Sequence, residues 1–198
     1  MNIKTAIKTL LPVSLLALAA SASAATATYI VDPSHTYPSF EADHMGISVW
    51  RGKLNKTTGK VTLDKAAGKG DVDIALDVAS IDFGQDELSK WATGADFFDT
   101  AKYPQATYRG KLEGFSNGVP TKVVGELTLH GVTKPLELKI NSFKCVPHPL
   151  HKRELCGADA LGTFDRAQFG LTAGKDFGFD MDVTLRIQVE AVRTEEAE

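Results

Sequence analysis

Residues 125 to 140, GELTLHGVTKPLELKI, alternate apolar and polar side chains on both sides of a short turn. Strand side chains point to opposite faces with period two, so Leu127 and Leu129 share a face with Val123 while Glu126 and Thr128 take the other. Leu136, Leu138 and Ile140 repeat the pattern against Glu137 and Lys139. DVDIALDVASID sets Val72, Ile74, Leu76 and Val78 opposite Asp71, Asp73, Ala75 and Asp77. MDVTLRIQVEAV does the same near the C-terminus, with Met181, Val183, Leu185, Ile187, Val189 and Ala191 on its apolar face. Such one-sided strands belong to antiparallel sheets, because the strands of parallel sheets are buried on both faces. Shorter strands are expected over residues 28–31, 39–44 (around Phe40), 49–54, 60–64, 105–115 and 158–164, with the SNG of Ser116 to Gly118 as a tight turn.

One segment changes period. After Asp86 as the expected cap, Leu88, Trp91, Ala92 and Ala95 fall at helical spacing, and Gly94 weakens or ends the helix. Roughly eight strands with one short helix have nothing to cover their apolar faces except one another. The expectation is an all-β antiparallel barrel or sandwich forming one domain over residues 25–198, with no repeat, low-complexity tract or linker to divide it. An eight-stranded barrel is near the size at which the interior is either filled by side chains or holds one ligand, and alternation leaves both open. The inward set is mostly aliphatic, and its large rings gather around Trp91, Phe97 and Phe98, where the helix could close one end.

Composition narrows the setting. Lys4 and Lys8 precede the apolar run from Leu10 to Ala20 and the small residues SASA, the three regions of a secretory leader, with cleavage expected after Ala24. The chain carries 22 basic and 25 acidic residues, and loss of Lys4 and Lys8 makes the remainder more acidic. Nucleic acid is therefore not an expected partner. Both cysteines, Cys145 and Cys156, fall in the exported part, where a pair usually oxidises to a disulfide. The spacing CVPHPLHKRELC also places His148 and His151 between them, and two sulfurs with two imidazoles could hold tetrahedral zinc. Pro147 and Pro149 stiffen that segment, the histidine spacing is short for a finger, and thiols oxidise in the expected compartment, so the disulfide is preferred and no metal site is assigned.

Catalytic motifs are absent from the sequence: there is no Gly-x-Ser-x-Gly elbow, phosphate loop or His-Glu-x-x-His helix. FGLTAGKDFGFD, residues 169 to 180, is glycine-rich without a strand-to-helix setting and reads as an ordinary loop. Asp71, Asp73 and Asp77 alternate with aliphatic residues and read as a solvent face. His130 opens the turn HGVTKP, and His35 and His44 have no serine or cysteine nearby to activate, so all three are expected to be structural. An enzyme using one of them at a barrel mouth is the alternative from another class, and a self-filled interaction barrel is a third.

YIVDPSHTYPSFEADHMG, VDIALDVASID, DELSKWATGADFFDTAKYPQATY, GELTLHGVTKPLELKI and FDRAQFG follow one another as in the YceI-like family of periplasmic isoprenoid-binding proteins, which this chain resembles over nearly its whole mature length. The resemblance implies a lipocalin-like barrel with a long apolar pocket for an isoprenoid lipid, of quinone type or an isoprenyl phosphate. It implies neither catalysis nor a cofactor, and a carrier of this kind would touch the membrane transiently. The expected wall and plug are Phe40, Val72, Ile74, Leu76, Leu88, Trp91, Phe97, Phe98, Leu127, Leu129, Leu138, Leu185 and Ile187. The cysteine-bracketed segment looks like an added loop, and its His148, His151, Lys152 and Arg153 form the densest basic run, a candidate head-group end partly offset by Glu154. Arg51 and Arg166 are further cations whose directions the pattern does not set. A net acidic chain with so modest an anion site is expected to bind a neutral quinone-type isoprenoid at least as well as an isoprenyl pyrophosphate.

Overall fold

The alternating segments form eleven strands, with one α-helix among the described residues: β1 (Ala27–Val31), β2 (Ser39–His44), β3 (Ser48–Leu54), β4 (Thr57–Asp64), β5 (Lys69–Asp77), β6 (Ile81–Asp82), α1 (Asp86–Thr93), β7 (Gln105–Glu113), β8 (Lys122–Leu129), β9 (Val132–Pro147), β10 (Glu154–Asp165) and β11 (Asp182–Arg193). The computed structural model describes residues 26–150 and 152–194, so the expected leader and His151 lie outside the described residues.

Every pairing is antiparallel. The strands run in the order β1, β4, β5, β7, β8, β9, β10, β11, and β11 returns to β1 to close an eight-stranded barrel. One edge of β11 serves two partners. Its first half pairs Val183–Arg186 with Ala42–Ser39 of β2, and its last residues pair Ala191–Arg193 with Val31–Tyr29 of β1. Between them Thr36 bridges the gap, its hydroxyl donating to the Glu190 carbonyl and accepting the Glu190 N–H. β3 and β6 extend the sheet beyond β2.

Three local readings are corrected. The turn after β8 is His130 and Gly131 alone, at φ 51° and 75°, the two consecutive positive values that a tight hairpin turn needs. Val132 to Pro135, expected within that turn, already belong to β9, with Pro135 opposite Glu126. The helix is capped by Gln85, whose side chain accepts from the Leu88 N–H, so Asp86 is the first helical residue; Gly94 ends the helix as expected. The cysteine-bracketed segment, read as a loop, is in large part strand, because β9 runs to Pro147, β10 starts at Glu154 and Cys145 lies directly opposite Cys156. The two form a disulfide across the ladder.

The end of the barrel away from α1 is held together by polar contacts. Tyr29 of β1 donates to Glu154 at the start of β10, and Lys65 from the β4–β5 turn pairs with the same carboxylate. Higher in the wall, Tyr108 crosses Gly125 and donates to the Val123 and Leu136 carbonyls. A Cβ at Gly125 would stand 2.9 Å from the Tyr108 ring and 2.4 Å from the Arg109 carbonyl, so only glycine lets the ring lie there.

Candidate ligand cavity

The inward faces of the eight strands do not meet at the centre. They enclose a cavity of about 560 Å³ whose lining is almost wholly carbon. All thirteen side chains named from the sequence as wall and plug lie on that lining: Val72, Ile74 and Leu76 from β5, Leu127 and Leu129 from β8, Leu138 from β9, Leu185 and Ile187 from β11, Phe40 from β2, and the remainder from α1 and the turn after it. The alternation places them, since each strand offers the cavity every second residue.

The helix end is dressed with rings. Trp91 stacks on Phe97 with centroids 5.0 Å apart, and Phe98 meets Phe97 edge-on at 4.6 Å. The segment read as an ordinary loop contributes here too. A 3-10 turn over Arg166–Phe169 buries Phe169 and leads to buried Leu171, and a second over Lys175–Phe177 brings Phe177 and then Phe179 to the same lining. Phe179 packs against His44, which stacks on Trp50 at 4.1 Å, and the Asp180 N–H donates to Asp43, so this segment and the β2–β3 hairpin form one rim. The signal that could have found them was the three phenylalanines in a segment rich in glycine. Alternation cannot register them because they are not on strands.

The polar atoms on the lining are few and mostly satisfied. Tyr29, Tyr108 and Thr36 have the partners described above, and burial first, then a neighbouring glutamate in each case, pushes the Tyr29 and Tyr108 hydroxyls well above the usual range. Thr57, 1% exposed at the start of β4, has no partner for its hydroxyl. Arg166, 7% exposed, donates to the Leu171 carbonyl at 2.6 Å and the Ala173 carbonyl at 2.7 Å and lies over the Phe97 ring at 5.8 Å. Its burial lowers the guanidinium from its ordinary value, against the pull of Asp165 and Asp180.

The other sequence candidates stand apart from this space. His148, Lys152 and Arg153 occupy the tip of the β9–β10 hairpin and do not line the cavity. Arg51 points to Glu41 on the outer face of the sheet. None of the described histidines is on the lining: His130 contacts the Phe169 carbonyl and the Tyr103 ring, His35 pairs with Asp32 at 2.7 Å, and His44 is in the rim stack. The two sulfurs are bonded to each other, and nearby Glu154 is engaged by Tyr29 and Lys65, so the residues around the disulfide offer no free metal-ligand set.

A hollow, helix-plugged antiparallel barrel of this topology can be set beside known proteins. Residues 29–191 match the YceI-like domain. The chain belongs to the YceI-like family. A UPF0312 protein of Pectobacterium carotovorum is 32% identical to this YceI-like protein over 193 residues, 96% of this chain and 98% of that one. The crystal structure of Burkholderia cenocepacia BcnA is similar with a TM-score of 0.65 at 23% identity, covering 81% of this chain and 98% of that one. A polyisoprenoid binding domain from Saccharophagus degradans, implicated in plant cell wall breakdown, is similar with a TM-score of 0.61 at 16% identity, over 86% of this chain and all of that one. At these identities the two structures speak for the YceI-like fold alone.

Proposed function

We propose that this protein binds an isoprenoid lipid without chemistry and carries or scavenges it in the periplasm. The observation that carries this reading is the closed barrel around a carbon-lined cavity of about 560 Å³, within the ~300–1,000 Å³ of ordinary ligand pockets. A self-filled barrel would leave no such space. The family and the polyisoprenoid binding domain of similar fold support the ligand class. The leader pattern and the cross-strand disulfide favour an oxidising compartment.

Energetics favour exchange over storage. Burying a forty-carbon isoprenoid from water would release more than ~30 kcal/mol at ~0.8 kcal/mol per carbon group, beyond the ~18–21 kcal/mol at which non-covalent affinities saturate. Such a lipid starts in a bilayer as apolar as the barrel, so transfer between the two is nearly balanced. A carrier needs that balance. The exposed Met45, Ile47 and Val49 of the β2–β3 hairpin, beside exposed Phe177 at the same rim, support transient contact with the membrane from which the lipid is drawn. Catalysis is disfavoured because general acid–base work needs a titrating group within hydrogen-bond reach of the substrate; no described histidine lines the cavity, and its one carboxylate, Asp43, already accepts the Gly46 and Asp180 N–H groups.

Delipidated protein incubated with vesicles containing an isoprenoid quinone and then separated by flotation tests the reading. Quinone recovered with the soluble protein, near one per chain, supports it. Protein recovered without quinone would overturn it.

A further inference from the structure

β9 outruns the strand beside it. Its pairing with β8 ends at Lys139 opposite Lys122, and the last backbone bond on that side runs from the Ile140 N–H to the Thr121 carbonyl. From Ser142 to Pro147 only β10 pairs with it. The phase of that ladder follows from the His148 N–H, which donates to the Arg153 carbonyl. Antiparallel partners alternate between bonded and unbonded pairs, so Val146, Lys144 and Ser142 direct their backbone groups to β10 while Cys145 and Phe143 direct theirs outward. Pro147 offers that side a carbonyl only. No hydrogen bond from a described residue reaches these outward groups. The result is an open sheet edge, held extended by β10 and by the Cys145–Cys156 bond.

Side chains decide what fits this edge. On the outer face Ile30, Val192, Leu155 and Val146 stand opposite one another across β1, β11, β10 and β9, an apolar row that runs up to the edge from half-exposed Ile30. Lys144 shares that face with Val146, is exposed and makes no ion pair with a described residue. Lys152 and Arg153 at the hairpin tip make none either. We infer that the β9 edge docks an extended acidic segment of a partner protein as an added strand, with an apolar side chain beside Val146 and acidic ones beside Lys144 and His148. A second copy of the chain fits poorly. Two-fold pairing of β9 edges about Lys144, Cys145 or Val146 sets the Lys144 ammonium against its own mate, Val146 or His148, and Pro147 withholds an N–H from each ladder. A membrane surface could meet the charges but has no backbone to complete the ladder. Lys144, Val146 and Leu155 are off the cavity lining, so the docking does not depend on lipid binding.

Fluorescence anisotropy with labelled threonine-rich peptides and the oxidised protein tests the docking. The probe carries glutamate, valine and glutamate at alternate positions, a pattern that reads the same in either strand direction, and its control carries lysines in place of the glutamates. Wild type is expected to prefer the glutamate peptide several-fold, a preference that salt weakens. Lys144→Glu, at an exposed position, should keep the thermal midpoint, weaken the glutamate peptide roughly five- to tenfold and strengthen the lysine peptide. N-methylation of the threonines flanking the valine, whose N–H groups face β9 in the added strand, should abolish binding, whereas N-methylation of the valine should be tolerated. Equal binding of the two peptides, binding of neither, or equal effects of the two methylations would overturn the docking. Wild-type dimers dispersed by Lys144→Glu in sedimentation would overturn it in favour of a second copy. Attachment to phosphatidylglycerol vesicles that Lys144→Glu abolishes, with no peptide bound, would overturn it in favour of a membrane surface.

Discussion

Leu127 and Thr128 are sequence neighbours in opposite surroundings: the first is buried on the cavity wall, and the second shares a hydroxyl contact with Thr133 on the outer face. Leu127→Asp places an unpaired charge in the apolar interior and is expected to cost ~3–5 kcal/mol, whereas Thr128→Asp should cost less than ~1 kcal/mol. Urea denaturation of both variants checks this, and equal losses would contradict the strand register. Leu127→Ala borders existing space, so its cost should fall near or below the ~2 kcal/mol lower end for filled cores. Glu154 sets a pH signature at the opposite end of the barrel. Burial pushes its carboxyl up, but Lys65 and Tyr29 outweigh that and hold it below the ordinary value. A depressed folded value means stability present above the unfolded value near ~4.3 and lost as pH falls through the folded one. Wild type should therefore exceed Glu154→Gln by ~1 kcal/mol at pH 7, and the gap should close from about pH 5 downward. A gap independent of pH in urea titrations would contradict the carboxylate's role.

At the scale of elements, β5, β8 and β11, whose apolar residues recur every second position, were legible nearly to their ends. β5 and β11 present the residues that alternation assigned to them, with Val72 and Leu185 on the lining and Asp71 and Asp182 exposed. Elements shaped by backbone conformation or long-range partners were not. The His130–Gly131 turn is shorter than its polar composition implied, because two positive φ values complete the reversal and leave Val132 free to pair with Leu129. The segment from Phe169 to Phe179 reads as loop and is loop, yet it supplies rings to the rim, a role set by packing that has no period. The β9–β10 hairpin runs past the cysteines because its register puts them face to face. Joining them closes a short loop, so Cys145→Ala with Cys156→Ala should lose at most ~2–3 kcal/mol by loop entropy. Thiol titration of unfolded, unreduced wild type should find no free thiol, and two titratable thiols would contradict the pairing.

For the whole molecule, closure itself was illegible locally. It depends on Tyr29 meeting Arg193 and on Thr36 spanning the break between β1 and β2, contacts that no alternation encodes. The empty interior was illegible for the same reason: inward aliphatic residues look alike whether they meet or stand apart. The rim beside the cavity offers a test of delivery. Met45→Ser with Ile47→Ser, two exposed positions off the lining, should slow quinone uptake from vesicles several-fold by removing apolar area that dips into the interface, while solution affinity for a short-tailed ligand stays unchanged. Equal uptake rates would contradict membrane contact through this hairpin. The central claim, a hollow barrel that holds an isoprenoid lipid, is tested most directly by organic extraction of protein purified from its native host, followed by mass spectrometry. The account predicts one co-purifying isoprenoid lipid at near-stoichiometric yield, retained by Thr128→Asp and lost from Leu127→Asp. Folded wild-type protein that yields no isoprenoid, and takes none up when offered it, would contradict it.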